Sequence, residues 1–331
     1  MQTIRWGILG CGKIARKFAS DLVHVEGAQL IACGSRDKGN AEAFAAEFSI
    51  PHIHGSYEAL ASDPDVDVIY IASPHGLHHE HVLLCLRHNK AVLCEKAFAI
   101  NGKQVAEMVE EARKQRVFLM EALWSKFTPQ YEIAMKLVRD GSIGEISSMI
   151  VDFGFTPEPP VSSRLYEPSL GGGSLLDIGV YNVFYILSFM GRPDEIIARM
   201  TPAATGVDEQ CAAIFHYKDG RLAQLFTTFS SNLPTEAQIN GSKGRIKLGP
   251  RFYNPTTCII EFYPGKIDSR QIIPYHSEPG FGYQYQARHV CKCLREGLTE
   301  SPVMSHADSL LLIETMDRIR ASAGIKYAVD R

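Results

Sequence analysis

The first third of the chain alternates short apolar runs with amphipathic stretches. Ile4–Gly10, Gln29–Gly34, Val66–Ala72, Ala91–Cys94 and Val117–Ala122 are brief, rich in β-branched residues or Leu, and bounded by polar or turn residues, which predicts strands. Between them, Lys13–Val25, Gly39–Phe48, His78–Arg87 and Asn101–Gln115 carry helical spacing, as in the recurrence of Val105, Met108, Val109 and Ala112. This alternation predicts a parallel, doubly wound sheet with helices on both faces. Beyond Ala122 the rhythm changes. Pro129–Asp140 reads as a helix, Glu145–Phe155 as a strand and Leu175–Phe189 as a helix. Strand candidates then follow without helices between them: Ile196–Met200, Gln210–Tyr217, Arg221–Phe229, Glu236–Asn240, Arg245–Leu248 and Cys258–Tyr263. Lys218-Asp219-Gly220 is a hairpin turn between two of them, and short turns argue an antiparallel sheet. Tyr283–Gly297 and Ser305–Ala323 close the chain as helices.

The pattern therefore predicts an α/β chain: a doubly wound parallel domain over residues 1–122, then an α+β domain over 123–331 with a large, mostly antiparallel, open-faced sheet. That sheet has too few helices to cover both faces. Its bare face, with the alternating apolar pattern of Arg221–Phe229, predicts a homodimer or a higher even-numbered homo-oligomer.

Charge and composition narrow the function. With 34 Lys and Arg against 37 Asp and Glu, the net charge of −3 offers no basic excess for nucleic acid or a membrane surface. The N-terminus runs directly into a strand with no secretory leader pattern, and no apolar run is expected to span a bilayer, so a cytoplasmic location is expected. The eight cysteines lie mostly in apolar segments without a C-x-x-C pair, which fits reduced, buried thiols.

The chemistry begins at Gly10-Cys11-Gly12-Lys13-Ile14-Ala15, after a strand and opening a helix. The first glycine permits the tight turn, the second lets backbone approach a pyrophosphate, and Ala15 allows close helix–strand packing. The helix N-terminus supplies N–H groups and a favourable dipole for phosphates. This is the dinucleotide fingerprint of a Rossmann sheet. An NAD enzyme usually places an acid at the end of the second strand; here Ser35 and Arg36 stand there, followed by Asp37. A hydroxyl and a guanidinium suit a 2′-phosphate, so NADP is favoured over NAD. The competing reading makes Arg36 a solvated residue and gives Asp37 the acidic role.

Four further segments carry a family resemblance: Pro74-His75-Gly76-Leu77-His78; Glu95-Lys96-Ala97; Glu121-Ala122-Leu123-Trp124-Ser125-Lys126-Phe127-Thr128-Pro129; and Gly171-Gly172-Gly173-Ser174-Leu175-Leu176-Asp177-Ile178-Gly179-Val180-Tyr181. In order and spacing the chain resembles the glucose–fructose oxidoreductase/inositol dehydrogenase/MocA family over nearly its whole length. Within that family it is most similar to the dimeric dihydrodiol dehydrogenase and D-xylose dehydrogenase branch. The resemblance implies that Ser73, Pro74, His75 and His78 lie by the nicotinamide, with Glu95, Lys96 and Trp124 around it. It implies that Lys96 and Tyr181 exchange the substrate proton and that Asp177 positions the substrate. Ala97 stands where the family has proline, and Lys126 where many members have arginine.

The residues alone support part of this. Lys96 follows a buried strand at the edge where open α/β sheets bind ligands, although pairing with Glu95 on the surface is the bland alternative. Tyr181 belongs to an aromatic stripe with Phe184, Tyr185 and Phe189 that also reads as core. Arg164 reads equally as a site residue or a solvated one. His78 and His81 share a helix face without a completing carboxylate or thiol, and no metal site is expected; His79 and His81 read as a polar helix face. The expected function is an NADP-dependent oxidoreductase transferring hydride between the nicotinamide and a hydroxyl of a sugar or cyclic diol, a small polyhydroxylated substrate. The rivals are a retained NAD(P) reduced only transiently, as in a glycosidase or an internal redox cycle, and a non-catalytic NADP sensor.

Overall fold

In the first sheet the apolar runs are strands and the amphipathic stretches helices. The computed structural model describes residues 2–158, 163–265 and 267–330. Of the loop 156–168, which borders the expected second-domain site, residues 159–162 lie outside the described set. The chain runs β1 (Ile4–Leu9), α1 (Lys13–Leu22), β2 (Ala28–Gly34), α2 (Lys38–Phe48), β3 (His52–His54), α3 (Tyr57–Ala61), β4 (Val68–Ile71), α4 (His78–Arg87), β5 (Ala91–Glu95), α5 (Gly102–Gln115) and β6 (Leu119–Ala122). These strands form a six-stranded, wholly parallel sheet in the order β3-β2-β1-β4-β5-β6. The order reverses between β1 and β4, the switch point where such sheets bind ligands. β3 and α3 are additional to the expected elements: His-Ile-His carries no apolar run, and Tyr57–Ala61 is barely more than one turn.

The chain continues with α6 (Pro129–Arg139), β7 (Ile146–Gly154), α7 (Val180–Met190), β8 (Glu195–Pro202), β9 (Asp208–His216), β10 (Leu222–Thr228), β11 (Ala237–Gly241), β12 (Gly244–Gly249), β13 (Ile259–Pro264), β14 (Gln271–Ile273), α8 (Tyr283–Arg295) and α9 (His306–Ala323). The second sheet has eight strands in the order β14-β13-β12-β11-β7-β10-β9-β8. The Lys218–Gly220 turn joins β9 to β10, with Gly220 at φ +89°. One pairing departs from the antiparallel expectation: β7 and β10 run parallel, because the chain leaves the sheet through α7 between them.

Helix α7 lies on one face of this sheet, against β7, β10 and β11. On the other face a row of register partners crosses four strands: Ile150, Gln224, Ile214 and Ile197. Ile197 and Ile214 remain 51% and 48% exposed, and Ile150, Leu222 and Phe226 are exposed with them. The stretch Pro168–Met190, contrary to the expectation that no run has the length, is long and apolar enough to cross a membrane; 89% of its most apolar window is buried in the fold, as in a core helix.

The division into units differs from the expected split at residue 122. One unit comprises Met1–Trp124 with Glu278–Leu310, the other Ser125–Ser277 with Leu311–Arg331. The chain returns to its first unit through contacts made far apart in sequence. The Asp21 carboxylate on α1 accepts the backbone N–H groups of Phe281, Gly282 and Tyr283 at 2.7–3.0 Å, and so caps the N-terminus of α8. Arg295 donates to the carbonyls of Gln2, Glu26 and Gly27, and a His306 ring nitrogen lies 3.0 Å from the Leu119 carbonyl oxygen.

Candidate active site

The turn after β1 has the form its glycines require. Gly10 sits at φ +93°, and a Cβ there would meet the backbone of Ala72 and Ser73 at 3.2–3.3 Å. Any side chain would push the turn off the loop after β4. Gly12 is the N-cap of α1, has open space where a Cβ would be, and provides no side-chain cap. By contrast α2, α3 and α5 are capped by Asp37, Ser56 and Asn101. Thus α1 presents its first N–H groups in a form suited to an anion. Lys13 is exposed and Ile14 is 37% exposed beside them. Cys11 is half-buried, and a hydrogen bond with the buried Cys33 thiol lowers its pKa.

At the end of β2, Ser35 is buried and donates its N–H to the His54 carbonyl at 3.2 Å, while its Oγ accepts from Asp37 N–H at 3.2 Å. Asp37 accepts the Asn40 N–H at 3.1 Å as the cap of α2, so this carboxylate already has a structural task. Arg36 is exposed and hydrogen-bonds Tyr57. The Tyr57 ring meets His81 edge-on at 4.6 Å, and His81 Nδ1 lies 2.8 Å from Ser73 Oγ. Burial, with the Arg36 charge nearby, pushes His81 down to about 4. His81 is thus a buried, neutral prop behind Arg36, not part of a polar helix face; His79 does face outward, paired with Glu107 at 2.8 Å. Sequence reading missed Tyr57, whose only signal is its place two residues after Gly55 in an unrecognised short helix.

The loops after β4 and β5 are tied by His78. It is fully buried, with Nδ1 2.9 Å from the Ala97 carbonyl and Nε2 2.7 Å from the Ser73 carbonyl. Burial pushes it down to about 4. Both ring nitrogens face backbone, so the imidazole braces the two loops against each other. His75 is buried and packs edge-on against His78 at 5.7 Å, following Pro74. Glu95 is buried and accepts the Tyr70 hydroxyl at 2.5 Å. Lys96 follows β5 at its carboxyl end, half-buried. Trp124 falls in the first unit rather than opening the second, and stacks on Tyr283 of α8 at 4.7 Å with ring planes 6° apart.

Asp177 and Tyr181 belong to the second unit. They lie on one continuous helical stretch, a wide turn over Leu175–Gly179 leading into α7. Arg164 forms a two-pronged pair with Asp177, Nη1–Oδ1 2.9 Å and Nη2–Oδ2 3.3 Å. Tyr181 is buried and stacks on Tyr253 at 5.1 Å, and Tyr253 stacks on Phe153 at 4.8 Å. Burial raises the Tyr253 pKa, with the neighbouring Asp177 charge adding to it, so Tyr253 links both predicted residues. It lies between strands, where no periodicity marks it. Lys126 is placed over the Phe184 ring at 6.0 Å.

The segment carrying Asp177 is anchored from beneath. Asp208 is buried at the start of β9 and accepts Ser174 Oγ–H and Leu175 N–H, both at 2.7 Å. Burial pushes this carboxyl up to about 6.

Comparison with known proteins identifies the two halves separately. Residues 4–123 match the oxidoreductase family with an NAD-binding Rossmann fold, and residues 131–247 match the GFO/IDH/MocA C-terminal domain. The trans-1,2-dihydrobenzene-1,2-diol dehydrogenase of Xenopus tropicalis is 41% identical over 332 residues, covering 98% of this chain and 99% of that one. The mouse (Mus musculus) enzyme of the same name is 38% identical over 337 residues, covering 99% of each. Among solved structures, KijD10, a 3-ketoreductase from Actinomadura kijaniata in complex with NADP and TDP-benzene, superposes with a TM-score of 0.87 at 27% identity, covering 97% of this chain and 98% of that one.

Proposed function

This chain belongs to the GFO/IDH/MocA oxidoreductase family and is a dehydrogenase acting on CH–OH groups, and from that premise we propose that it uses NADP⁺ to oxidise a hydroxyl of a cyclic diol or sugar. The observation that carries the cofactor reading is the end of β2. Its acid, Asp37, is spent on capping α2, while Arg36 is held out by Tyr57 with Ser35 beside it. A guanidinium and a hydroxyl there favour a 2′-phosphate. The uncapped start of α1, with the close approach at Gly10 and the open space at Gly12, fits the pyrophosphate. The substrate class rests on the full-length relatives, which are named as dehydrogenases of a cyclic diol.

Bound there, the nicotinamide supplies a hydride acceptor. The chain's own residues manage the proton and the orientation. Lys96, at the carboxyl end of β5, and Tyr181 are assigned to removing the hydroxyl proton. Asp177, held by Arg164, orients substrate hydroxyls through hydrogen bonds. His78 and the Tyr70–Glu95 bond keep the Lys96 loop in place. The bare face of the second sheet, with Ile150, Ile197, Ile214, Leu222 and Phe226 exposed, is assigned to a second copy of the chain, giving a homodimer or a higher even-numbered oligomer.

The test is a panel of cyclic diols, aldoses and inositols with NADP⁺ and with NAD⁺, read at the nicotinamide absorbance. Turnover on at least one diol or sugar and a lower Kd for NADP⁺ are expected. Arg36→Ala should erase roughly tenfold or more of the preference. Equal affinity for NAD⁺ would remove the cofactor reading; binding without turnover on any substrate would favour a sensor.

A further inference from the structure

Three ligating side chains converge at the outer edge of the parallel sheet, on groups the proposed reaction does not use. His52 and His54 alternate along β3, so their rings lie on one face of this edge strand. Asp63, just past α3, reaches the same point: Oδ2 lies 2.8 Å from His52 Nδ1 and 2.9 Å from His54 Nε2. The three ligating atoms all lie within 4.8 Å of one another. The Asp63 side chain is 5% exposed, the two imidazoles 36% and 21%. The cluster is therefore anchored on its acidic side and open on its imidazole side.

We propose that His52, His54 and Asp63 form a binding site for a first-row divalent transition ion of the Zn²⁺ kind, with water in the fourth position. Two imidazoles and one carboxylate suit Zn²⁺, whereas Ca²⁺ and Mg²⁺ need oxygen-rich shells. The spacing is near that required. Bonds of about 2.0–2.1 Å in a tetrahedron set neighbouring ligand atoms about 3.3 Å apart. The two nitrogen–oxygen spacings open by roughly half an ångström to admit the ion, and the nitrogen–nitrogen spacing, within 4.8 Å, adjusts with them by side-chain rotation. The ion takes the place of hydrogens lying between the imidazoles and Oδ2; each displaced proton passes to the other ring nitrogen or, from a charged ring, to solvent, so that the rings bind in their neutral form. Asp63 Oδ1 is already oriented by the Asp65 N–H at 2.9 Å, as outer partners orient metal ligands elsewhere. The nearby cation, Lys90, directs its ammonium to the backbone carbonyls of Asp63 and Val66 at 2.5 and 2.9 Å, not to the carboxylate. The expectation of no metal rested on His78 and His81; this cluster lies elsewhere and depends on β3 and α3.

Such an ion clamps the edge strand to the segment after α3. The experiment is titration of Zn²⁺ into the full-length, chelator-treated protein by calorimetry, with thermal melts in parallel. One equivalent is expected to bind, with a melting rise of roughly 5 °C at a hundredfold excess over Kd. His52→Gln and His54→Gln should each weaken binding at least about tenfold. His52 is the more exposed, so His52→Gln carries the test if His54→Gln disturbs folding. Because thiols also take Zn²⁺, Cys11→Ser is the control and should leave binding intact. Absence of saturable binding, binding indifferent to both histidine substitutions, or binding lost in Cys11→Ser would each overturn the assignment.

Discussion

Every residue of β4 and β5 in the parallel sheet is buried, whereas β9 and β10 of the second sheet alternate buried and exposed along much of their length. The first sheet is covered on both faces, so only its strand ends are left for chemistry, and the candidate cofactor residues sit in the loops at the carboxyl ends of β1, β2, β4 and β5. The second sheet has a face to spare. It offers one side to α7, which leads from the segment bearing Asp177, and leaves the other with an apolar row. The same period-two geometry thus yields a loop-built candidate site in one unit and a face-built candidate site in the other.

A charge placed in each sheet tests this most sharply. Val92→Asp, in the middle of buried β5, should cost more than about 4 kcal/mol and prevent stable folding, seen in urea melts of expressed protein. Ile214→Asp, on the bare face, should change subunit stability by only about 0.5 kcal/mol yet abolish association in light scattering. An Ile214→Asp protein of unchanged mass would remove the interface from that face. Next in size, Lys96→Met should lower kcat about 10²–10⁴-fold, with Tyr181→Phe acting in the same direction. Full turnover in Lys96→Met would sink the strand-end assignment.

The third effect concerns the buttress under the face-built site. Asp208 has its pKa raised to about 6 by burial, so the folded state favours its neutral form. The stability it contributes is complete below the ordinary carboxylate range and is lost as pH rises through 6, about 3 kcal/mol in all. Asp208→Asn stays neutral while keeping an oxygen for Ser174 and Leu175. It should flatten the fall in melting temperature between about pH 4 and 6.5, the interval between the ordinary and the raised carboxyl pKa; an unchanged slope would mean that Asp208 does not titrate in that window.

Much of this was legible along the chain because it is local. The turn at Gly10–Ala15 depends on backbone space within a few residues, and the strand periods of both sheets are short-range patterns. The parallel pairing of β7 with β10 was not legible, since a crossover of more than sixty residues separates them and nearby turns suggest only hairpins. Tyr57 and His81 acquire meaning only when α3 and α4 bring them behind Arg36. Tyr253 gains its place by stacking on Tyr181, and His78 shows its bracing role only once the Ser73 and Ala97 carbonyls flank it. Each of these is a contact across sequence, which composition and periodicity do not encode.

The Asp21 cap bears on how the chain matures at the ribosome. About 150 residues of the second unit are synthesised between Trp124 and Glu278. At ordinary elongation rates this takes roughly 8–30 s. Throughout that interval the Asp21 carboxylate lacks the N–H groups of Phe281, Gly282 and Tyr283, and Trp124 lacks its stacking partner Tyr283. The nucleotide-binding half is thus the first to begin translation, yet it is completed only after Ser125–Ser277 of the other unit has been synthesised.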